Sequence, residues 1–201
     1  MPFALQANNR KTQWRLVEFL SQMFFINEQG TNMSQQLITA EQIKNRIAEL
    51  GKEITKQYHK EDIILVCILN GSFMFCADLA RAIDLEMDID FMALSSYGDA
   101  MVSSGNVRVD LDLRKSIKDK NILIVEDIVD TGRTIAKLLE LLQTRNPKTL
   151  KVCTLLSKPS RREIPVQIDF VGFTIEDRFV IGYGLDYQGK KRNLPYIGVK
   201  G

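Results

Sequence analysis

The chain is 201 residues long, 45% hydrophobic and 26% charged, with a formal net charge of +2, a composition that suits one soluble globular domain with a sizeable core. So small a charge excess does not imply a nucleic-acid partner, because the basic residues are dispersed except at Lys190, Lys191 and Arg192. Cys67, Cys76 and Cys153 lack metal-ligand spacing, and two of them lie in aliphatic, strand-like runs, so they read as reduced core residues of a cytoplasmic protein.

In residues 1–32, Trp14, Val17, Leu20 and Phe24 recur at helical spacing, with Phe19, Met23 and Phe25 widening the apolar face. The spacing predicts an amphipathic helix over 12–26. That stretch is too short and too charged to span a membrane, and it matches neither a secretory signal nor a transit peptide. Packing on another subunit, disorder and an over-extended start are the readings it leaves.

Thr39-Ala40-Glu41-Gln42 is a capping-box pattern, and Ile43, Ile47, Leu50 and Ile54 then step along one face, which predicts a helix. His59 follows it, between helix and strand, and reads as non-catalytic. Residues 62–69 read as a buried strand, 72–83 as a helix and 88–94 as another strand, the alternation of a parallel α/β sheet built from right-handed βαβ units. Leu69-Asn70-Gly71-Ser72 joins the first strand to its helix as a tight turn. Residues 95–106, small and polar with Gly98 and Gly105, form a loop of about a dozen residues, a length that is uncommon unless functional.

The stretch that organises the chain is Asn121-Ile122-Leu123-Ile124-Val125-Glu126-Asp127-Ile128-Val129-Asp130-Thr131-Gly132-Arg133-Thr134. Its first half is a buried strand, and Glu126 and Asp127 fall where that strand leaves the sheet at its carboxyl end, the edge where open α/β sheets place ligands. Asp130, Thr131, Gly132 and Thr134 then supply acceptors, a permissive backbone and N–H groups at a helix start, with Ile135, Leu138, Leu139 and Leu142 as the apolar stripe. A helix start of this kind binds anions. Three acids at one strand end repel one another unless a ligand or cation uses them. A sugar phosphate such as ribose 5-phosphate suits both halves, because its vicinal hydroxyls need acceptors and its phosphate needs donors. The glycines do not spell a nucleoside-triphosphate loop.

Two acids, two aliphatics and then Asp-Thr-Gly-Arg-Thr, here Glu126 to Thr134 without a gap, resemble the diphosphate-ribose-binding motif of the purine phosphoribosyltransferases, the hypoxanthine-guanine branch above all. The likeness runs from about Ile38 to about Val199. It implies a type I phosphoribosyltransferase fold: a central parallel sheet flanked by helices, with a small hood formed by the chain ends. It also implies one domain over 33–201 and favours an over-extended start for 1–32, since Met33 precedes an ordinary opening for this family.

The activity implied is transfer of 5-phosphoribosyl from phosphoribosyl diphosphate to hypoxanthine, and to guanine as well, in purine salvage. The roles come with it. Asp130 would be the acid/base at purine N7, with Glu126 and Asp127 on the ribose hydroxyls directly or through Mg²⁺, and Ile128 and Val129 between them. Thr131, Gly132, Arg133 and Thr134 would hold the 5′-phosphate. Asn70-Gly71 would be a diphosphate loop with a non-proline cis peptide before the glycine, although many relatives have Lys at the position of Asn70. Ser96-Tyr97 would belong to a loop that closes over the site and excludes water.

Lys158 would donate to the exocyclic oxygen of a 6-oxopurine and so disfavour adenine. Phe179 would stack on the base and the Val180 backbone would meet its edge. Asp186, with Glu126 and Asp127, would be a Mg²⁺ ligand, and Arg192, preceded here by Lys191 rather than the usual aromatic, would grip diphosphate. The resemblance further implies a homodimer or homotetramer with small-molecule substrates and neither a nucleic-acid nor a membrane partner. The alternatives are a regulator that senses phosphoribosyl diphosphate on the same fold, and an enzyme preferring xanthine or guanine.

Overall fold

Thr39 opens the first helix with both halves of its capping box closed: the Gln42 N–H donates to Thr39 Oγ1 at 3.1 Å, and the Thr39 N–H donates to Gln42 Oε1 at 2.8 Å. In the computed structural model, which describes residues 35–96 and 107–200, this helix is α1, Ala40–Gln57. It buries the expected stripe of Ile43, Ile47, Leu50 and Ile54. The amphipathic helix expected at 12–26, Tyr97 and most of the 95–106 loop lie outside the described residues.

Strands and helices alternate as the pattern requires. After β1, Gln35–Ile38, and α1 come β2, Ile63–Leu69; α2, Phe73–Ala82; β3, Met87–Ser96; β4, Val107–Leu111; β5, Asn121–Val129; α3, Arg133–Gln143; and β6, Thr149–Ser157. A single 3₁₀ turn, Pro159–Arg161, follows, then β7, Phe170–Thr174; β8, Val180–Ile181; and β9, Ile197–Val199. The main sheet has the order β4-β3-β2-β5-β6-β7, parallel throughout except for the antiparallel edge strand β4. Strand β3 runs to Ser96 and so takes Ser95 and Ser96 from the expected loop, because β4 offers them a partner: Ser95 pairs with Arg108 and Ser96 with Val107.

The alternating faces of β2 and β5 build two cores. Leu65, Cys67, Leu123 and Val125 pack under α1 and α2, while Val66, Ile122 and Ile124 pack under Ile135, Leu138 and Leu142 of α3. Being buried on both sides explains the unbroken aliphatic runs of these strands. A second sheet of three strands, in the order β1-β9-β8, joins the first described strand to the last. This is the hood expected from the chain ends, and Ile197 of β9 is fully buried.

One expectation is corrected. Glu126 and Asp127 do not stand past the end of their strand; β5 continues to Val129, because β6 pairs with it as far as Val129 opposite Ser157. On the other flank the ladder to β2 stops at Cys67 opposite Val125. The two acids therefore occupy a step in the sheet edge, paired on one side only.

Candidate active site

The step places a buried carboxyl beside a partly buried one. Glu126 is 9% exposed and its Oε2 has no hydrogen-bond partner among the described residues. Burial pushes its carboxyl well above the usual range, and the neighbouring Asp127 adds to the effect. Asp127 is pushed up to about 6 by burial, opposed by the Ile128 N–H, which donates to its Oδ1 at 2.7 Å, and by the charge of Arg192. A pair held this way against its own repulsion marks a place where a cation or hydroxyl donor fits.

Gly71 closes over Asp127. A β-carbon at Gly71 would fall 1.5 Å from Asp127 Oδ2, so no other residue fits there without displacing the acid. The non-proline cis peptide joins Leu69 to Asn70, at the head of the expected loop. Ser72 anchors the loop's far end by donating from its hydroxyl to the Ile68 carbonyl at 2.6 Å. The turn that carries Asn70 and Gly71 thus brings Gly71 against Asp127.

Past Val129 the chain passes through Asp130 and Thr131 to Gly132, which sits at φ +85° as the residue before α3. No side chain of this cap residue covers the helix start; Thr131 Oγ1 accepts from the Arg133 N–H at 3.4 Å. Of the acceptors and permissive backbone expected at this helix start, the cap position is taken by the permissive backbone of Gly132, with no side-chain cap hydrogen bond. Asp130 instead accepts from Arg161 Nε at 3.2 Å on Oδ1.

A segment that the sequence reading passed over holds this loop from behind. The Glu163 and Ile164 N–H groups both donate to the Thr131 carbonyl, at 3.0 and 3.1 Å, and Arg133 Nε donates to Glu163 Oε2 at 2.8 Å. Arg162 Nη2 donates to Ser157 Oγ at 3.1 Å. The signal was present as two consecutive arginines three and four residues after Lys158.

Lys158 continues the sheet beyond β6, its N–H donating to the Val129 carbonyl at 3.0 Å. Its side chain is 8% exposed and its Nζ lies 3.6 Å from Asp177 Oδ1. Phe179 is 56% exposed, so it is not a core residue; its ring meets Tyr187 edge-on, with centroids 6.0 Å apart. Val180 is buried in β8. Arg192 and Asp186 are bound to each other, Nη2 to Oδ1 at 2.8 Å, and Arg192 Nη1 also donates to the Gly184 carbonyl at 2.6 Å. Ser96 ends β3, and Tyr97 lies outside the described residues.

Oxygen donors dominate wherever a cation would sit, though among the described residues no three acids, cysteines or histidines cluster closely enough to hold a metal by themselves. That donor set suits Mg²⁺, which takes few protein carboxylates and completes its shell with water and phosphate. These residues supply acceptors for hydroxyls, a helix start for an anion, a buried ammonium and an exposed aromatic face.

Residues 33–188 match the family of the phosphoribosyl transferase domain. The chain is 53% identical over 164 residues to the hypoxanthine phosphoribosyltransferase of Buchnera aphidicola, covering 81% of this chain and 93% of that one. It is 47% identical over 163 residues to the hypoxanthine-guanine phosphoribosyltransferase of Bacillus subtilis, covering 81% and 91%. A crystal structure of a hypoxanthine phosphoribosyltransferase from Staphylococcus aureus superposes with a TM-score of 0.82 at 44% identity, covering 87% of this chain and 97% of the other.

Proposed function

The chain belongs to the phosphoribosyl transferase domain family, and from that premise we propose that it transfers 5-phosphoribosyl from phosphoribosyl diphosphate to hypoxanthine, and to guanine, in purine salvage. The observation that carries this reading is the meeting of the acid pair Glu126 and Asp127 with the left-handed turn into α3 on one sheet edge. Glu126 and Asp127 accept from the ribose hydroxyls, and the helix start from Thr131 to Thr134 receives the 5′-phosphate. Ile128 and Val129 space the two sets of groups.

The reaction breaks the bond from the anomeric carbon to diphosphate and forms one to the purine nitrogen, through a centre with oxocarbenium character. Arg192 and the backbone at Asn70 and Gly71 take up the charge of the departing diphosphate. Glu126, Asp127 and Asp186 are the residues that would hold Mg²⁺, which supplies charge neutralisation at the diphosphate when bound. Asp130 exchanges a proton with N7 and so adjusts how nucleophilic the base is. Phe179 stacks on the ring, the Val180 backbone meets its edge, and Lys158 donates to the 6-oxo group, which adenine lacks.

We place the protein in the cytoplasm, in keeping with three buried, unpaired cysteines. Among the described residues, no helix is long and apolar enough to cross a membrane. A homodimer or homotetramer is supported by the large apolar side chains exposed at the β3–β4 edge, Ile89, Phe91 and Leu111.

The test is nucleotide formation from phosphoribosyl diphosphate and Mg²⁺ with hypoxanthine, guanine, xanthine and adenine in parallel, in the wild type and Asp130→Asn. Hypoxanthine and guanine are expected to react and adenine is not, with turnover of the variant falling by about 10²-fold or more while the ribosyl donor still binds. Donor binding without conversion of any base would replace the enzyme by a sensor.

A further inference from the structure

Arg161 ends the 3₁₀ turn that follows Lys158, its N–H donating to the Lys158 carbonyl at 3.1 Å. From there its guanidinium reaches two acids at once. Nε donates to Asp130 Oδ1 at 3.2 Å, and Nη1 lies 3.5 Å from Asp177 Oδ2. The other oxygen of Asp177, Oδ1, faces Lys158 Nζ at 3.6 Å. Four groups of alternating charge therefore run in a chain, Lys158, Asp177, Arg161 and Asp130. Its two ends are the groups assigned to O6 and N7, which share one edge of a 6-oxopurine.

We propose that Arg161 is a positioning residue for purine transfer, fixing Asp130 directly and Lys158 through Asp177, so that the acid/base and the 6-oxo donor are set relative to each other before the base arrives. This rests on the function proposed above. An arginine suits the task because its planar fork presents separate N–H groups to two carboxylates, where a lysine offers a single ammonium. By occupying Oδ1 of Asp130, it leaves Oδ2 for N7. Support of the fold is not what the chain provides: the side chains of Arg161, Asp130 and Asp177 are 48%, 38% and 51% exposed, and ion pairs so exposed add little to stability because water and salt screen them. The neighbouring arginine has a different task, since Arg162 is turned toward Ser157 and the Val129 carbonyl.

The experiment measures kcat and KM for hypoxanthine and for phosphoribosyl diphosphate in wild type, Arg161→Ala, Arg161→Lys, Asp130→Asn and the double variant Arg161→Ala/Asp130→Asn, with thermal unfolding of each. Arg161→Ala is expected to lower kcat at least about tenfold, a share of what a well-placed acid/base supplies. KM for the ribosyl donor should stay within about twofold, the split that separates loss of positioning from loss of donor binding. Its unfolding midpoint should match that of wild type. Arg161→Lys should recover part of the loss by keeping a cation at Asp130, and the double variant should be no slower than Asp130→Asn alone, because Arg161 acts through that acid. A kcat for Arg161→Ala within about twofold of wild type, or losses that multiply in the double variant, would overturn the inference while leaving the proposed function in place. A wild type that converts no purine would overturn the function itself and the inference with it.

Discussion

Glu126 is buried with one carboxylate oxygen unpartnered, and Asp127 stands beside it. Both hold their protons more tightly in the folded chain than in the unfolded one, Asp127 up to about pH 6 and Glu126 well above the usual carboxyl range, because burial disfavours the charged forms. Below about pH 4 both states are protonated and burial costs no charge. As pH rises the unfolded chain loses its protons first, so the native state binds more of them and its stability falls with rising pH. Glu126→Gln removes one of these charges. It is expected to raise the midpoint of thermal unfolding of the ligand-free protein at pH 8 by a few degrees, about 2–4 °C for each kcal/mol, and the gain should vanish near pH 4. An unfolding scan at the two pH values checks this; equal midpoints at pH 8 would show that the charge is relieved by other means. The groups proposed to bind substrate are thus a source of instability without it.

At the scale of an element, the joint from β5 into α3 depends on Gly132. Its φ of +85° lies in the left-handed region, and a β-carbon there would come within 2.5 Å of the Ile164 carbonyl and 3.0 Å of Arg162 Cδ. Gly132→Ala therefore costs on the order of 1–3 kcal/mol in backbone strain and pushes the loop off the segment that backs it. Because the loop is the proposed phosphate cradle, KM for phosphoribosyl diphosphate should rise about tenfold or more, with a smaller change for hypoxanthine. Steady-state kinetics with each substrate varied in turn separates the two, and an unchanged donor KM would place the phosphate elsewhere. The other helix start is built differently. At α1, Thr39 and Gln42 close a capping box legible from four consecutive residues. At α3 a left-handed glycine makes the turn and leaves the helix start without a side-chain cap, and a carbonyl thirty-two residues away in the chain leaves no room for a β-carbon there.

Across the whole molecule, the three-stranded sheet joins both ends of the described chain next to the proposed purine site. Val180 and Ile181 of β8 pair with Val199 and Gly198 of β9, and Ile197 is fully buried. Phe179 is the residue before β8, so the position of the ring proposed to stack on the base depends on a strand eighteen residues further on. Ile197→Ala should cost about 2–5 kcal/mol through the cavity it leaves. It should also raise KM for hypoxanthine more than KM for the ribosyl donor, whose proposed cradle lies on the other sheet. Denaturant unfolding together with the two KM values tests this, and a loss of stability with both KM values unchanged would detach the small sheet from base binding.

The sequence by itself determined what is local. The capping box, the unbroken aliphatic runs of β2 and β5 and the string from Glu126 to Thr134 reflect short-range sterics and burial, which adjacent residues encode directly. It also pointed to Asn70, Gly71, Lys158 and Phe179, by likeness to a family rather than by periodicity. Only the tertiary structure decided that β5 outlasts its ladder with β2, that Gly71 closes on Asp127, and that Arg161 and Asp177 link Lys158 to Asp130. These are contacts between strand ends and loops far apart in sequence. Their partners are chosen by sheet register and loop packing, so no pattern of neighbouring residues records them.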